Sequence, residues 1–282
     1  MQINWYPGHM AKAKREMERM LSLSDVAVEV VDARAPLSTR NPDLDKLLGR
    51  KPRVMILNKE DLADNNATRA WQAYFTQKGW LAVPFCAKRP RGRDKLLAAF
   101  QQAAQPLIDR WAKKGAHKIV RVMITGIPNV GKSTVINCLS GSQRAKTGAT
   151  PGVTRGKQWV RLSPTLELLD TPGLLWPKLE DEQGAQRLAF LNAIRDEVLE
   201  TEEIAAALIE NLQQAAPQAI KTRYEVDTAD KAPWEVLEAV GKRRGFIVKG
   251  GQVDTEKAAV VLIDEFRDGK LGRITLERPV QA

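Results

Sequence analysis

The sequence predicts an α/β fold, a mostly parallel sheet with helices on both faces, followed by a small helical unit. Two observations carry this. Short apolar runs alternate with helical patterns over the first two thirds of the 282 residues, and strand signals fade after Pro177. Apolar strands separated by helices pair in parallel through right-handed crossovers. A chain of this length also exceeds one ordinary core, so two units are expected, 1–178 and 179–282.

The elements follow in order. Met10, Ala13, Met17 and Met20 recur at helical spacing, so residues 9–22 read as an amphipathic helix whose methionines face the core. Val26–Val31, Val54–Leu57, Leu81–Phe85 and Ile119–Thr125 read as buried strands, with helices over Pro42–Leu48, Ala67–Gln77 and Leu96–Trp111 between them. Gln158–Leu162 and Thr165–Leu169 flank Ser163-Pro164 and read as a hairpin. Beyond the boundary, helices are expected over Glu182–Leu199, Thr201–Gln214, Trp234–Lys242 and Thr255–Arg267.

Composition narrows the function. Hydrophobic residues make up 43% and charged residues 28%, a globular balance. No apolar stretch approaches the roughly 20 residues that cross a bilayer, and the first residues lack the apolar core of a secretory signal. Cys86 and Cys138 make no disulfide framework, and with His9 and His117 they make a poor zinc site. A cytoplasmic location is expected. The net charge is +10, and residues 1–178 carry 30 basic against 14 acidic residues. That excess suits a polyanion, nucleic acid above all, although a solvated basic face is the plain alternative.

The strongest motif runs from Gly126 through Asn129, Val130, Gly131, Lys132, Ser133 and Thr134. It matches GxxxxGK[ST] between a strand and a helix. Glycines let backbone N–H groups wrap phosphates at a helix N-terminus; Lys132 would neutralise β/γ-phosphate oxygens, and Ser133 would ligate Mg²⁺. Asn58-Lys59-Glu60-Asp61 ends the second strand. A carboxylate at Asp61 accepts from guanine N1–H and N2–H₂, a donor pair adenine lacks. Cys86-Ala87-Lys88, after the third strand, offers a backbone N–H to guanine O6. Asp170-Thr171-Pro172-Gly173 supplies DxxG, with Asp170 holding Mg²⁺ through water and Gly173 N–H meeting the γ-phosphate. In the loop between, Thr154 is the candidate Mg²⁺-binding switch threonine, with Thr150 as the alternative.

These elements are those of a GTPase in permuted order, the base-reading motifs preceding the P-loop. Circular permutation is tolerated where termini lie close. It also makes DxxG run through Leu174-Leu175-Trp176-Pro177 into the helical unit, which should couple nucleotide state to that unit's position.

The permuted order, NKED, GIPNVGKST, DTPG, Trp5-Tyr6-Pro7-Gly8-His9-Met10, Asp32-Ala33-Arg34 and Arg40-Asn41-Pro42 together resemble the ribosome biogenesis GTPase A (YlqF/RbgA) family over essentially the whole chain. The resemblance implies a circularly permuted P-loop GTPase domain with a helical, RNA- and ribosome-contacting domain behind it. It also implies a role in late assembly of the large ribosomal subunit, binding of rRNA and pre-ribosomal particles, and assistance from K⁺ held by Asn129. A turn residue in left-handed conformation is the alternative reading of Asn129. A monomer is expected, with neither membrane nor DNA among its partners.

Water is the open catalytic question. Leu174 follows Gly173, where many GTPases place a water-orienting glutamine. His9, preceded by a flexible Pro7-Gly8, is the candidate substitute, a role the resemblance also suggests; a structural histidine is the alternative. A GTPase acting on another RNA, or a P-loop phosphotransferase, competes with the main reading. The phosphotransferase leaves NKED and DTPG together unexplained.

Overall fold

The computed structural model describes residues 15, 17–89, 92–141, 159–170, 182–194 and 200–279, with the side chain of Asp170 left out. Its sheet comprises β1 (Val26–Asp32), β2 (Arg53–Asn58), β3 (Leu81–Pro84), β4 (Val120–Thr125), β5 (Trp159–Ser163) and β6 (Leu166–Asp170) in the order β3-β2-β1-β4-β6-β5. The pairings are parallel except for the β5–β6 hairpin. The expected permutation is therefore realised: the P-loop strand β4 comes fourth along the chain yet lies centrally beside β1. The connection from β3 to β4 passes over β2 and β1, opening the crevice at the C-terminal strand ends where open α/β sheets bind ligands.

Alternation along the strands assigns the helices to faces. Val26, Val28 and Val30 of β1 pack with α4 (Arg93–Ala112) and α5 (Lys132–Ser140) on one side. Ala27 and Val31 face the other side. There α1 (residues 17–23) brings Met17 and Met20, α2 (Asp43–Leu48) brings Leu44, and α3 (Asn65–Gln77) brings Trp71 and Phe75. Glu29 interrupts this apolar pattern on the α2 side. Its carboxylate accepts from Asn41 N at 2.8 Å and from Arg40 Nε at 3.3 Å, and the Arg40 guanidinium lies 4.5 Å over the Trp80 ring. Burial pushes the Glu29 carboxyl up, and Arg40 opposes that rise. The Arg40-Asn41 segment thus holds its loop to the sheet through a buried, fully bonded ion pair.

Behind the sheet stand α6 (Glu182–Phe190), α7 (Thr201–Ala215), α8 (Ala219–Tyr224), α9 (Pro233–Arg243) and α10 (Thr255–Arg267). Leu208, Val236 and Leu262 share a second core. α6 and the turn after it serve both cores: Leu188 and Ile194 join the sheet's, Phe190 and Leu191 the helical one. The segment 272–278 then returns as an extended arm across the sheet unit. No described helix is long and apolar enough to cross a membrane.

Two helical expectations change. The helix expected over Glu182–Leu199 ends at Phe190. Asn192 takes φ 57°, Asn192 N donates to Ala189 O at 3.0 Å, and Ala193 N donates to Leu188 O at 2.8 Å. This is a Schellman C-cap with asparagine in the left-handed position. The short α8 was not expected. It follows Pro217 and is held from outside by Tyr224 Oη donating to Glu265 at 2.8 Å.

Candidate functional site

The P-loop bends where only small or left-handed residues fit. Gly131 has φ +91°, and a Cβ there would lie 2.3 Å from Asn58 Nδ2; one at Gly126 would lie 2.7 Å from Val30 O. Asn129 also takes φ 62°, the left-handed turn conformation open to asparagine. Lys132 and Ser133 then begin α5, placing a buried lysine and a hydroxyl at a helix N-terminus.

Asn58 and Lys59 brace that loop from β2. Asn58, fully enclosed, donates through Nδ2 to Val130 O at 2.8 Å and accepts Ala87 N at 3.1 Å, so one amide fixes the P-loop against the segment after β3. Lys59 Nζ donates to Asn129 O at 2.8 Å and pairs with Asp32 at 2.7 Å. Asp32, at the end of β1, is also bound by Arg34 through Nε at 3.0 Å and Nη2 at 2.9 Å. Burial alone would raise the Asp32 carboxyl; Arg34 and Lys59 instead hold it well below the ordinary carboxylate range.

A cavity of about 650 Å³ opens over these residues, with Asp61, Cys86, Ala87 and Lys88 at one end and Asn129, Gly131 and Thr134 at the other. Burial and the neighbouring Asp61 carboxylate push the Cys86 thiol's pKa up. Of the Cys86-Ala87-Lys88 backbone expected to offer an N–H to a base, the Ala87 N–H is accepted by Asn58 Oδ1 at 3.1 Å. A purine with phosphates fits the chemistry of such a cavity: a carboxylate for ring N–H donors at one end and P-loop backbone at the other.

The remaining expected residues divide by position. β6 pairs Asp170 with Ile124 of β4, so its backbone ends at the same sheet edge as the P-loop. Ser133 and the Asp170 position therefore offer a hydroxyl and a carboxylate residue beside the phosphate loop, a donor set of the hard-oxygen type that Mg²⁺ takes. His9, Thr150, Thr154, Gly173 and Leu174 lie outside the described residues, as does the segment joining DxxG to α6.

Sequence reasoning missed how far the helical unit enters this site. Asn129 Nδ2 donates to Asn192 O at the end of α6. Arg267 caps the same helix, bonding Ala189 O at 2.9 Å and Phe190 O at 3.1 Å. Arg34 Nη1 in turn bonds Arg267 O at 3.2 Å, a cation at the C-terminal end of α10. The arm adds Ile274 N to Leu62 O at 3.0 Å, Leu276 N to Arg34 O at 2.7 Å, and Arg273 Nε to Ala63 O at 2.8 Å. Glu277 O accepts Trp71 Nε1 at 3.0 Å. The available signal was the alternation of Arg273, Thr275 and Glu277 with Ile274 and Leu276, a pattern of extended chain.

Comparison with known proteins places this geometry. A family model described as 50S ribosome-binding GTPase matches residues 121–241. The chain is 42% identical to the ribosome biogenesis GTPase A of Bacillus cereus, over 99% of this chain and 95% of that protein. Identity to the protein of the same name from Thermotoga maritima is 34%, over 98% and 95%. The solved structure of GDP-bound YlqF superposes with a TM-score of 0.71 at 29% identity, covering 94% of this chain and 99% of that one. GNP-bound YlqF from T. maritima superposes with a TM-score of 0.69 at 30% identity, covering 96% and 100%.

Asn58→Ala removes both bonds that join the P-loop to the 86–88 segment and leaves Val130 O and Ala87 N unpaired. The expected loss of stability is about 2–4 kcal/mol, read by urea unfolding followed by circular dichroism, with the unfolding slope unchanged.

Proposed function

The chain belongs to the ribosome biogenesis GTPase A family, and from that premise we propose that it hydrolyses GTP as a factor in late maturation of the large ribosomal subunit. In this reading it engages pre-ribosomal particles and their rRNA in a nucleotide-dependent way, and works in the cytoplasm as a monomer. The observation that carries the reading is the joining of the P-loop and NKED to one cavity, with Asn58 and Lys59 bonded directly to P-loop carbonyls. The basic excess of residues 1–178 supports an RNA partner.

Within that cavity Asp61 reads guanine N1–H and N2–H₂, and Lys59 covers the base while its ammonium is held by Asp32 and Asn129 O. Asn58 acts as a strut for Val130 and Ala87, with the Ala87 N–H shared between Asn58 and guanine O6. Cys86 steadies Asp61. Gly131, Thr134 and the loop N–H groups meet the phosphates, and Lys132 neutralises the β/γ oxygens. Ser133, Asp170 and Thr154 would hold Mg²⁺, which when bound spreads the developing phosphate charge. Asn129, at the cavity's lip, would hold K⁺ through its side-chain oxygen, its nitrogen being given to Asn192 O. Gly173 N–H contacts the γ-phosphate, Leu174 offers the attacking water no hydrogen bond, and His9 takes that task on the ribosomal particle.

Asp61→Asn turns one acceptor into a donor facing guanine N2–H₂, whereas xanthine carries an acceptor there. Guanine nucleotide affinity should fall by about 2–4 kcal/mol, with xanthine nucleotides gaining. Titration with fluorescent GDP and XDP reads both; unchanged GDP affinity in a folded variant means NKED does not read the base.

Hydrolysis by the free chain should be slow and rise on addition of large ribosomal subunits. Positioning of water or proton transfer contributes about 10²–10⁴-fold, so His9→Ala should remove most of that stimulated rate. GTP affinity should change by less than about threefold, about 0.65 kcal/mol. Single-turnover hydrolysis with and without subunits, beside a binding titration, decides it. Stimulated turnover surviving in His9→Ala makes that histidine structural, and no response to subunits in wild type contradicts the assembly role.

A further inference from the structure

The cavity described above is not closed by the sheet unit alone. Its lining includes Leu191, Asn192 and Arg267, which belong to the end of α6 and the end of α10. They share that lining with Asp61 of the base-reading loop and with Asn129 and Thr134 of the P-loop, so the helical unit faces the same space as both. We propose that the helical unit supplies this wall of the guanine nucleotide pocket and thereby sets how fast bound nucleotide leaves. The inference rests on the guanine reading of the cavity.

The wall is built as a unit. Leu191 is 4% exposed and sits in the helical core, while the adjacent Asn192 turns its carbonyl to the P-loop asparagine. The Schellman cap fixes that turn, and Arg267 spans it from α10 by bonding Ala189 O and Phe190 O. Arg34 holds the Arg267 carbonyl and returns to Asp32, whose other partner, Lys59, bonds Asn129 O. The result is a closed circuit of hydrogen bonds, in which Asn129 and Lys59 each take part twice. Both residues line the cavity. A nucleotide that orders Asn129 and Lys59 therefore orders the wall, and a displaced wall opens the nucleoside to solvent. Linkage makes the coupling reciprocal in affinity: whatever holds α6 and α10 in place tightens nucleotide binding, and whatever pulls them away weakens it.

Hydrogen exchange with and without GDP tests this on the intact chain. Exchange should slow at least fivefold in peptides covering 188–193 and 264–268, together with 126–134. Protection of 126–134 with none in the two wall segments overturns the inference and leaves the nucleotide reading standing. Protection nowhere overturns the nucleotide reading and the inference with it. In a second measurement, Arg267→Ala should release a fluorescent GDP analogue at least fivefold faster than wild type. Arg267→Lys, which keeps the charge but not the paired bonds, should release it more than twofold but less than fivefold faster, and covers the case that the alanine variant does not fold. Release within twofold of wild type in a folded Arg267 variant contradicts the proposal.

Discussion

Asp32 ends the central strand β1 as a carboxylate with almost no contact with water, 1% exposed, and everything around it depends on keeping that charge satisfied. An ionised carboxylate away from water is costly unless paired and hydrogen-bonded. Arg34 answers with a bidentate grip and Lys59 with a third contact. The consequence is positional: the guanidinium and the ammonium are each pinned on one side, and their remaining donors reach fixed carbonyls, Arg267 O and Asn129 O. One buried charge thus sets the distance between the base-reading loop, the P-loop and the end of α10. Because its pKa is depressed, this stabilisation is fully present above the ordinary carboxylate range, about pH 4, and is lost only as pH falls further through the folded-state value.

The permuted chain gives this arrangement its use. The base-reading motifs come early and the helical unit last, so segment 272–278 can return and bond to residues 60–64 of the base-reading loop. Leu62, Ala63 and Asp64 have backbone groups satisfied by Ile274, Arg273 and Thr275, from the other end of the chain. Buried backbone groups need partners, and here the partners belong to the helical unit. In this chain the two units are joined through hydrogen bonds as well as apolar packing.

Much of this was legible in the sequence. The strands of the sheet, the P-loop and the position of NKED at a strand end followed from apolar runs and glycine placement, which depend on local chemistry, and Asn129 takes the left-handed turn given as its alternative reading. The stop of α6 did not, because Asn192 sits in an otherwise helical window and only its cap bonds reveal it. Asp32-Ala33-Arg34 stood out by resemblance, yet its partners Phe266 and Arg267 lie more than 200 residues away, and no periodicity encodes that pairing. The arm carried an alternating pattern without a visible destination, since the residues it bonds are defined by the fold.

The central claim is that the Asp32 charge organises the site and the helical unit together, and Asp32→Asn tests it most directly. The amide keeps the shape but removes the charge, leaving Arg34 and Lys59 as buried cations without their counter-ion. Urea unfolding at neutral pH should show a loss of about 3–5 kcal/mol, the scale for breaking a buried ion pair. A change within about 0.5 kcal/mol, as for an ordinary surface substitution, contradicts the account.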